Sequence, residues 1–115
     1  MKITHKILLG IFVSTLISCK TDCEALAQED RKSECLIIVE ELLNYNQTSL
    51  NAKGISLIDG KECICSEDNR WWYLYRNQIE RGDTIVKRKG ELTFNIHKKD
   101  TILTYNWECE GQVYK

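Results

Sequence analysis

Thiol and imidazole groups are the side chains of this sequence that are most capable of chemistry. Six cysteines and two histidines occur in 115 residues. Cys63-x-Cys65, Cys109 and His97 are ligand types that Zn²⁺ prefers, but their spacing matches no common zinc finger or ribbon. Two lysines follow His97, which is typical of a solvated strand end and not of a base beside a nucleophilic thiol. We therefore predict no catalytic residue, no metal site and no cofactor.

The start of the chain is typical of an export signal. Lys2, His5 and Lys6 give a basic beginning, and an apolar run from Ile7 to Ile17 follows. This run is shorter than the roughly 20 residues that a membrane-spanning helix needs, and it agrees with the roughly 7–15 residues of a signal-peptide core. We predict that residues 1–18 form a signal peptide that is removed.

The residues that follow this run, Leu16-Ile17-Ser18-Cys19, resemble the lipobox of bacterial lipoproteins. The resemblance covers only the beginning of the chain. It implies that the Cys19 sulfur carries a diacylglyceryl group, that cleavage occurs before Cys19, and that the new amino group is acylated. Several acyl chains together hold a protein durably at a membrane. Lys20 stands where Asp favours inner-membrane retention in enteric bacteria, so the resemblance favours the outer membrane, on its periplasmic or surface face.

Export into an oxidising compartment makes disulfides the default for the five other cysteines. Cys23 and Cys35 would be about 18 Å apart in an unbroken helix, beyond the roughly 7 Å that a disulfide spans. Cys63 and Cys65 lie two positions apart on a predicted strand, so they face the same side and take separate partners. We predict a disulfide from Cys35 to one member of this pair. The other member then bonds to Cys109, which leaves Cys23 as the free thiol.

A segment with helical spacing precedes segments with strand spacing. From Cys23 to Asn46 the apolar side chains recur at intervals of three and four residues, which predicts one amphipathic helix. After Gly54 the pattern changes. Ile55–Ile58 and Lys61–Cys65 have the pattern of a hairpin around Asp59-Gly60, a pair that suits a type I′ turn.

The remaining strands are predicted from residue type and from the alternation of apolar and polar side chains: Arg70–Gln78, Thr84–Lys87, Glu91–His97 and Thr101–Cys109. One helix followed by about five or six strands predicts an α+β domain in which the helix packs on an antiparallel meander. A chain of 115 residues has room for one such domain. We assign residues 25–115 to it and residues 19–24 to the lipidated N-terminus and a short tether.

The segment Trp71-Trp72-Tyr73-Leu74-Tyr75 is unusually aromatic. On a strand, Trp71, Tyr73 and Tyr75 would share one face, and Trp72 and Leu74 the other. One set belongs in the core. The second set is either buried as well, because the strand is central, or forms an exposed aromatic platform that binds a protein or a glycan.

Charge excludes one class of partner. The formal charge is −1 and the basic residues do not cluster in one segment, so the signature of a nucleic-acid-binding protein is missing. Lys87-Arg88-Lys89 and Lys98-Lys99 lie at neighbouring hairpin ends. They are either solvated there or form a basic strip that faces lipid phosphates or an acidic partner.

These features together predict a non-enzymatic lipoprotein of the bacterial envelope that acts by binding a protein or a glycan. The alternative is a periplasmic immunity lipoprotein, an inhibitor that neutralises a secreted toxin. A small domain with a membrane anchor is common to both classes, and no residue motif of this sequence separates them.

Overall fold

The computed structural model describes residues 21–43, 49–67 and 70–115. These residues form a small α+β domain with a seven-stranded antiparallel sheet, two helices and two disulfides. The predicted signal peptide, the lipobox and the lipid-attachment residue Cys19 lie outside the described residues. No helix of the described part is long and apolar enough to cross a membrane.

The elements follow one another in the order α1 (Cys23–Lys32), β1 (Cys35–Leu43), β2 (Leu50–Ser56), β3 (Glu62–Glu67), α2 (Arg70–Tyr73), a 3₁₀ turn (Arg76–Gln78), β4 (Thr84–Lys87), β5 (Thr93–His97), β6 (Ile102–Cys109) and β7 (Gln112–Tyr114). The strand order in the sheet is β3-β2-β1-β4-β5-β6-β7. The predicted single meander is therefore wrong. Two meanders, β1–β3 and β4–β7, are joined by the pairing of β1 with β4.

The predicted long helix is correct only for its first part. Asp22 caps α1 by accepting a hydrogen bond from the Ala25 amide at 3.0 Å, and the helix ends at Lys32. The chain then becomes extended, and every second residue from Cys35 to Val39 is buried. This segment contains three consecutive β-branched residues, Ile37-Ile38-Val39. Such side chains lose rotamer freedom in a helix and pack well on a sheet.

The hairpin predicted around Asp59-Gly60 is present as β2 and β3. Its turn differs from the expected type, because the Ser56 amide pairs with the Lys61 carbonyl at 2.8 Å and four residues lie between them. Gly60 has a positive φ of 72°, whereas Asp59 does not, so a two-residue type I′ turn is ruled out.

Strands β4, β5 and β6 were predicted correctly, with β5 and β6 starting slightly after the predicted positions, whereas β7 was not predicted. Leu92, Phe94 and Ile96 share one face and are buried, as their alternation predicts. Phe94 lies at the centre of a core cluster that receives side chains from both helices.

Both disulfides connect buried parts of the domain. Cys35 bonds to Cys65, one of the two partners predicted for it. The prediction for Cys23 and Cys109 is wrong, because these two residues bond to each other and Cys63 keeps the free thiol. The physical reason is the course of α1, whose first residue lies against the last residue of β6.

Helix α1 lies across one end of the sheet. At about 15 Å its length matches the width of several strands. Its start is bonded to β6 through Cys23 and Cys109, whereas its end is next to β1 and β4. There the Lys87 ammonium donates to the carbonyl oxygen of Ser33 at 2.7 Å. This position makes α1 one wall of the candidate site.

Candidate functional site

The predicted aromatic strand is a helical turn in the structure. Trp71 and Trp72 are 6 % and 1 % exposed, and their rings lie 6.1 Å and 5.7 Å from the ring of Phe94. Successive residues of a helix point only about 100° apart, so both indoles reach the core, whereas a strand would send them to opposite faces. Tyr73 and Tyr75 are half-buried. The four residues therefore do not form one exposed aromatic platform.

A cleft of about 830 Å³ opens beside this turn, between α1, α2 and β6. We call it the α1–β6 cleft. Six side chains define its shape: Leu26 and Asp30 of α1, Leu74 and Tyr75 next to α2, and Tyr105 and Trp107 of β6. Leu26 and Leu74 are exposed and form apolar rims, while the aromatic residues lie deeper. The cleft thus has an apolar entrance and an aromatic floor.

The floor is held together by ring contacts. Tyr75 stacks on Tyr105 with 3.9 Å between ring centroids and 12° between the ring planes. The ring of Tyr75 also contacts the ring of Phe94, with 5.6 Å between the two centroids. Trp107 meets the edge of Tyr114 at 5.3 Å. These contacts link the floor to the core, so its shape is set by packing and does not depend on a ligand.

One polar contact ties the floor to the wall. The Trp107 indole N–H donates to the Asp30 carboxylate at 2.5 Å. Burial raises the pKa of Asp30 above its ordinary value, and the hydrogen bond from Trp107 and the charge of Lys87 oppose this shift. Burial likewise raises the pKa of Tyr75. The cleft therefore provides a partly desolvated carboxyl group beside an aromatic surface.

Other polar groups lie around the cleft. Thr104, Asn106 and Glu108 of β6 and Arg70 of α2 all line it. They offer hydroxyl, amide, carboxylate and guanidinium groups, which suit hydrogen bonding and ion pairing with a partner. None of them was assigned a role from the sequence.

The C-terminal end of α1 is held by a buried cation. Lys87 is 0 % exposed, and its ammonium donates to the carbonyl oxygens of Arg31, Ser33 and Arg88. Burial lowers the pKa of Lys87, and the nearby Asp30 carboxylate opposes this shift. Neither alternative for the Lys87-Arg88-Lys89 run, solvated side chains or a basic strip, is therefore correct at Lys87, because its charge caps helix α1 and does not face solvent.

A second depression of about 650 Å³ lies at the opposite end of β5. Its lining includes His97 and the Arg81-Gly82-Asp83 turn. Asp83 is buried and forms an ion pair with Lys98 at 2.5 Å, so the charge of this lysine is also neutralised. Basic and acidic residues are balanced in this depression, which gives it no preference for an anion.

The cysteines and His97 are distributed over separate parts of the domain. Cys65 and Cys109 belong to different disulfides, and His97 lines the second depression. Within residues 21–43, 49–67 and 70–115, no group of three or more His, Cys, Asp or Glu side chains could hold a metal ion. Cys63 is half-buried, and burial raises the pKa of its thiol.

Of the residues predicted to form a binding platform, Trp71 and Tyr75 line the cleft, but the sequence assigned no binding role to Leu26, Asp30, Tyr105 or Trp107. The alternation Leu103, Tyr105, Trp107, Cys109 does predict that Tyr105 and Trp107 share a face. It gives no sign that α1 crosses above them, because that depends on the Cys23–Cys109 disulfide. Asp30 carried no recognisable signal, since it is one of several acids in a charged helix.

Comparison with known proteins gives no relative: no protein-family model, curated protein sequence or solved structure matches this chain. The described residues form a disulfide-linked α+β domain that carries an aromatic-floored cleft.

Proposed function

We propose that the protein is a membrane-anchored, non-enzymatic module that binds a partner in the α1–β6 cleft. One observation carries the proposal: the cleft joins exposed leucines at its rim to an aromatic floor and a few polar groups at its margin. Binding sites are typically concave and largely apolar, and a small number of polar groups sets the orientation of the ligand. Aromatic side chains at the centre of such a site contribute most of the binding energy.

A protein partner fits this cleft better than a glycan. Sugar recognition by aromatic side chains uses an open ring face, but Tyr75 has Tyr105 on one side and Phe94 on another. Trp71 and Trp107 are buried. The most exposed apolar side chains of the cleft are those of Leu26 and Leu74, which suit the aliphatic and aromatic side chains of a protein.

The polar groups of the cleft support binding over catalysis. Asp30 already accepts the Trp107 indole hydrogen, and its neighbour Lys87 is occupied by three carbonyl oxygens. These two groups attach α1 to the sheet, which is a structural task. Arg70 and Glu108 line the cleft and are exposed, so they are suited to orienting a bound chain by hydrogen bonds and ion pairs.

The proposed lipid anchor would keep the cleft close to a membrane. Helix α1 begins at Cys23, four positions after Cys19, and this length of chain spans at most about 14 Å. The Cys23–Cys109 disulfide fixes the start of α1 beside the cleft. Acylation at Cys19 would therefore place the cleft near the bilayer surface, and the lipobox favours the outer membrane.

Site-specific photo-crosslinking in the intact envelope tests this proposal. A photoreactive amino acid replaces Leu74 in the full lipoprotein, and in a matched control it replaces Ile58. These positions are 69 % and 71 % exposed, but Ile58 lies in the β2–β3 turn and does not line the cleft. We expect a discrete protein adduct from position 74 that is absent from position 58, and we expect Leu74→Asn to reduce capture of the same protein.

The identity of the adduct separates the two functional classes. If the crosslinked partner is a resident envelope protein, the result supports a receptor or adaptor module. If the partner is a secreted toxin, the result supports a periplasmic inhibitor. Identical adducts from both positions, or an adduct from position 58 alone, would contradict the use of the cleft.

A further inference from the structure

Strand β6 is only partly covered on the side that faces away from β5. It pairs with β5 from Ile102 to Asn106, and with β7 only from Trp107 to Cys109. In the part of the chain that the structure describes, no strand pairs with Ile102–Asn106 on that second side, although Lys115 reaches the Asn106 end, where its ammonium donates to the Asn106 side-chain oxygen at 3.4 Å. We call this segment the open edge of β6.

The register shows which backbone groups the open edge presents. The Trp107 amide donates to the Leu92 carbonyl at 3.2 Å, so Trp107 directs its backbone groups towards β5. Along an antiparallel strand, successive residues direct their backbone N–H and C=O groups to opposite sides. Leu103 and Tyr105 therefore direct their backbone groups to β5, as Trp107 does. The amide and carbonyl groups of Ile102 and Thr104 point to the open side. They form a row of donors and acceptors with the spacing of a β-strand.

The open edge lacks the features that normally prevent strand addition. Proteins protect exposed edges with charged residues, prolines or bulges. Ile102-Leu103-Thr104-Tyr105-Asn106 contains no charged residue and no proline. Strand β3, which is outermost at the other end of the sheet, begins with Glu62 and ends with Glu67. Of the two edges, the one on β6 is the better template for a further strand.

The open edge and the α1–β6 cleft are next to each other. Thr104, Tyr105 and Asn106 belong to the edge and also line the cleft. A strand added beside them would direct alternate side chains to the face of Tyr105, where Leu74 and Tyr75 form the opposite side of the cleft. Its remaining side chains would lie beside Ile102, which is exposed on the outer face.

We infer that the partner binds by β-strand addition: an extended segment of a protein pairs with the open edge of β6 and inserts an apolar side chain into the α1–β6 cleft. This inference rests on the proposed function and names the form of its ligand. Main-chain hydrogen bonds would supply sequence-independent affinity, and the cleft would supply specificity. The open edge spans five residues, so the bound segment is short.

The first test uses a phage-displayed library of linear peptides as the probe and the full lipoprotein in detergent as the bait. Enriched peptides are expected to carry an apolar residue flanked by β-branched residues. Amide hydrogen exchange, followed by NMR, then reports the mode of binding. We expect the selected peptide to slow exchange at Thr104 and to leave Leu103 and Tyr105 unchanged, because β5 already protects these two.

The second test compares two substitutions at one position. Thr104→Pro removes the amide hydrogen that faces the open edge, whereas Thr104→Val keeps it and retains a good strand former. We expect Thr104→Pro to weaken peptide binding by roughly tenfold or more and Thr104→Val to change it little. If Thr104→Pro does not fold, the peptide can be N-methylated instead, one position at a time. Methylation at every second position should abolish binding, because only alternate amides of the peptide would point to the open edge of β6.

Other outcomes would overturn the inference in distinguishable ways. Peptides that depend on Leu74 but protect no edge amide would bind through side chains alone, and the proposed function would stand. Dissociation of a dimer by Thr104→Pro would make a second copy of this chain the occupant. A glycan that competes at Leu74, with no peptide enriched, would exclude strand addition. Failure of the Leu74 crosslink as well would reject the proposed function itself.

Discussion

The ammonium group of Lys87 on β4 donates to the carbonyl oxygen of Ser33, the C-cap residue that follows α1. A helix leaves its last carbonyl groups without partners inside the helix, and a cation at this end interacts favourably with the helix dipole. Lys87 also reaches the carbonyl of Arg31. Together with the Gly90 amide, which donates to the same Arg31 carbonyl at 2.6 Å, this side chain fixes the end of α1 to the sheet, and the wall of the cleft depends on it.

Lys87→Met tests this attachment. The substitution keeps most of the apolar stem but removes the Lys87 donor from the Ser33 and Arg88 carbonyl oxygens, whereas the Arg31 carbonyl keeps the Gly90 amide at 2.6 Å. We expect this loss to lower the free energy of unfolding by about 2 kcal/mol. Urea denaturation followed by circular dichroism measures the change, with the exposed Lys89→Met as the control. A variant more stable than the natural protein would mean that the cost of burying the charge exceeds the value of its hydrogen bonds.

Asp30 predicts a dependence of stability on pH. Its pKa is raised in the folded protein, chiefly by burial, so the folded state holds this proton more tightly than the unfolded chain does. The stabilisation is complete below the ordinary value of 3.8 and is lost as the pH rises through the raised pKa. The charged neighbours Lys87 and Glu29 act in opposite directions on this shift.

Asp30→Asn removes this titration while keeping an oxygen that can accept the Trp107 indole hydrogen. We expect the stability of the variant relative to the natural protein to increase with pH through this range and then to level off. Chemical denaturation at a series of pH values provides the measurement. A relative stability that falls as the pH rises would mean that the Lys87 charge outweighs burial at Asp30.

The two disulfides should differ in their contribution to stability. Cys23–Cys109 spans 86 residues and Cys35–Cys65 spans 30 residues. Chain-entropy estimates give about 4.6 kcal/mol for the first and about 3.7 kcal/mol for the second. Replacing each pair with serine should therefore cost more for Cys23–Cys109, as measured by thermal unfolding. The natural protein also allows a direct check of the disulfide pairing. Because Cys63 has the free thiol and Cys23 is bonded to Cys109, non-reducing peptide mapping should find alkylation at Cys63 and none at Cys23.

The sequence predicted the strands best where side chains alternate over a single buried face. Phe94 and Ile96 are buried, whereas Thr93, Asn95 and His97 are half-buried, so the period of two is unambiguous in β5. The segment from Cys35 to Val39 is apolar at almost every position, and such a run agrees with a helix as well as with a strand. The β-branched residues were the available signal, and they correctly indicate β1.

Long-range contacts limited the prediction of the site. Whether Trp71 and Trp72 lie in a strand or a helical turn depends on the core around Phe94, which their own spacing does not reveal. The pairing of Cys23 with Cys109 requires α1 to cross the end of the sheet. Without that crossing no local pattern brings Asp30 to Trp107, and so no local pattern predicts the cleft.

The proposed anchor makes a prediction that does not depend on the fold. Cys19→Ala removes the sulfur that would carry the diacylglyceryl group, so we expect an unprocessed or mis-sorted precursor that no longer incorporates a fatty-acid analogue. Metabolic labelling followed by immunoprecipitation measures both effects, with Cys63→Ala as a control that keeps a thiol at position 19. Equal labelling of the Cys19→Ala protein would reject the lipobox assignment.

The aromatic turn and its neighbour should separate stability from binding. Trp72 fills the core beside Phe94, and truncating such a residue to alanine costs about 3–5 kcal/mol. Leu74 lies two positions later and is largely exposed, so Leu74→Ala should change stability by less than about 0.5 kcal/mol. We expect Trp72→Ala to lower the melting temperature strongly, and Leu74→Ala to leave it nearly unchanged while weakening partner capture. Thermal unfolding and quantitative capture from the envelope, done on both variants, give the comparison. If Leu74→Ala binds its partner as well as the natural protein does, the rim of the α1–β6 cleft contributes nothing to recognition.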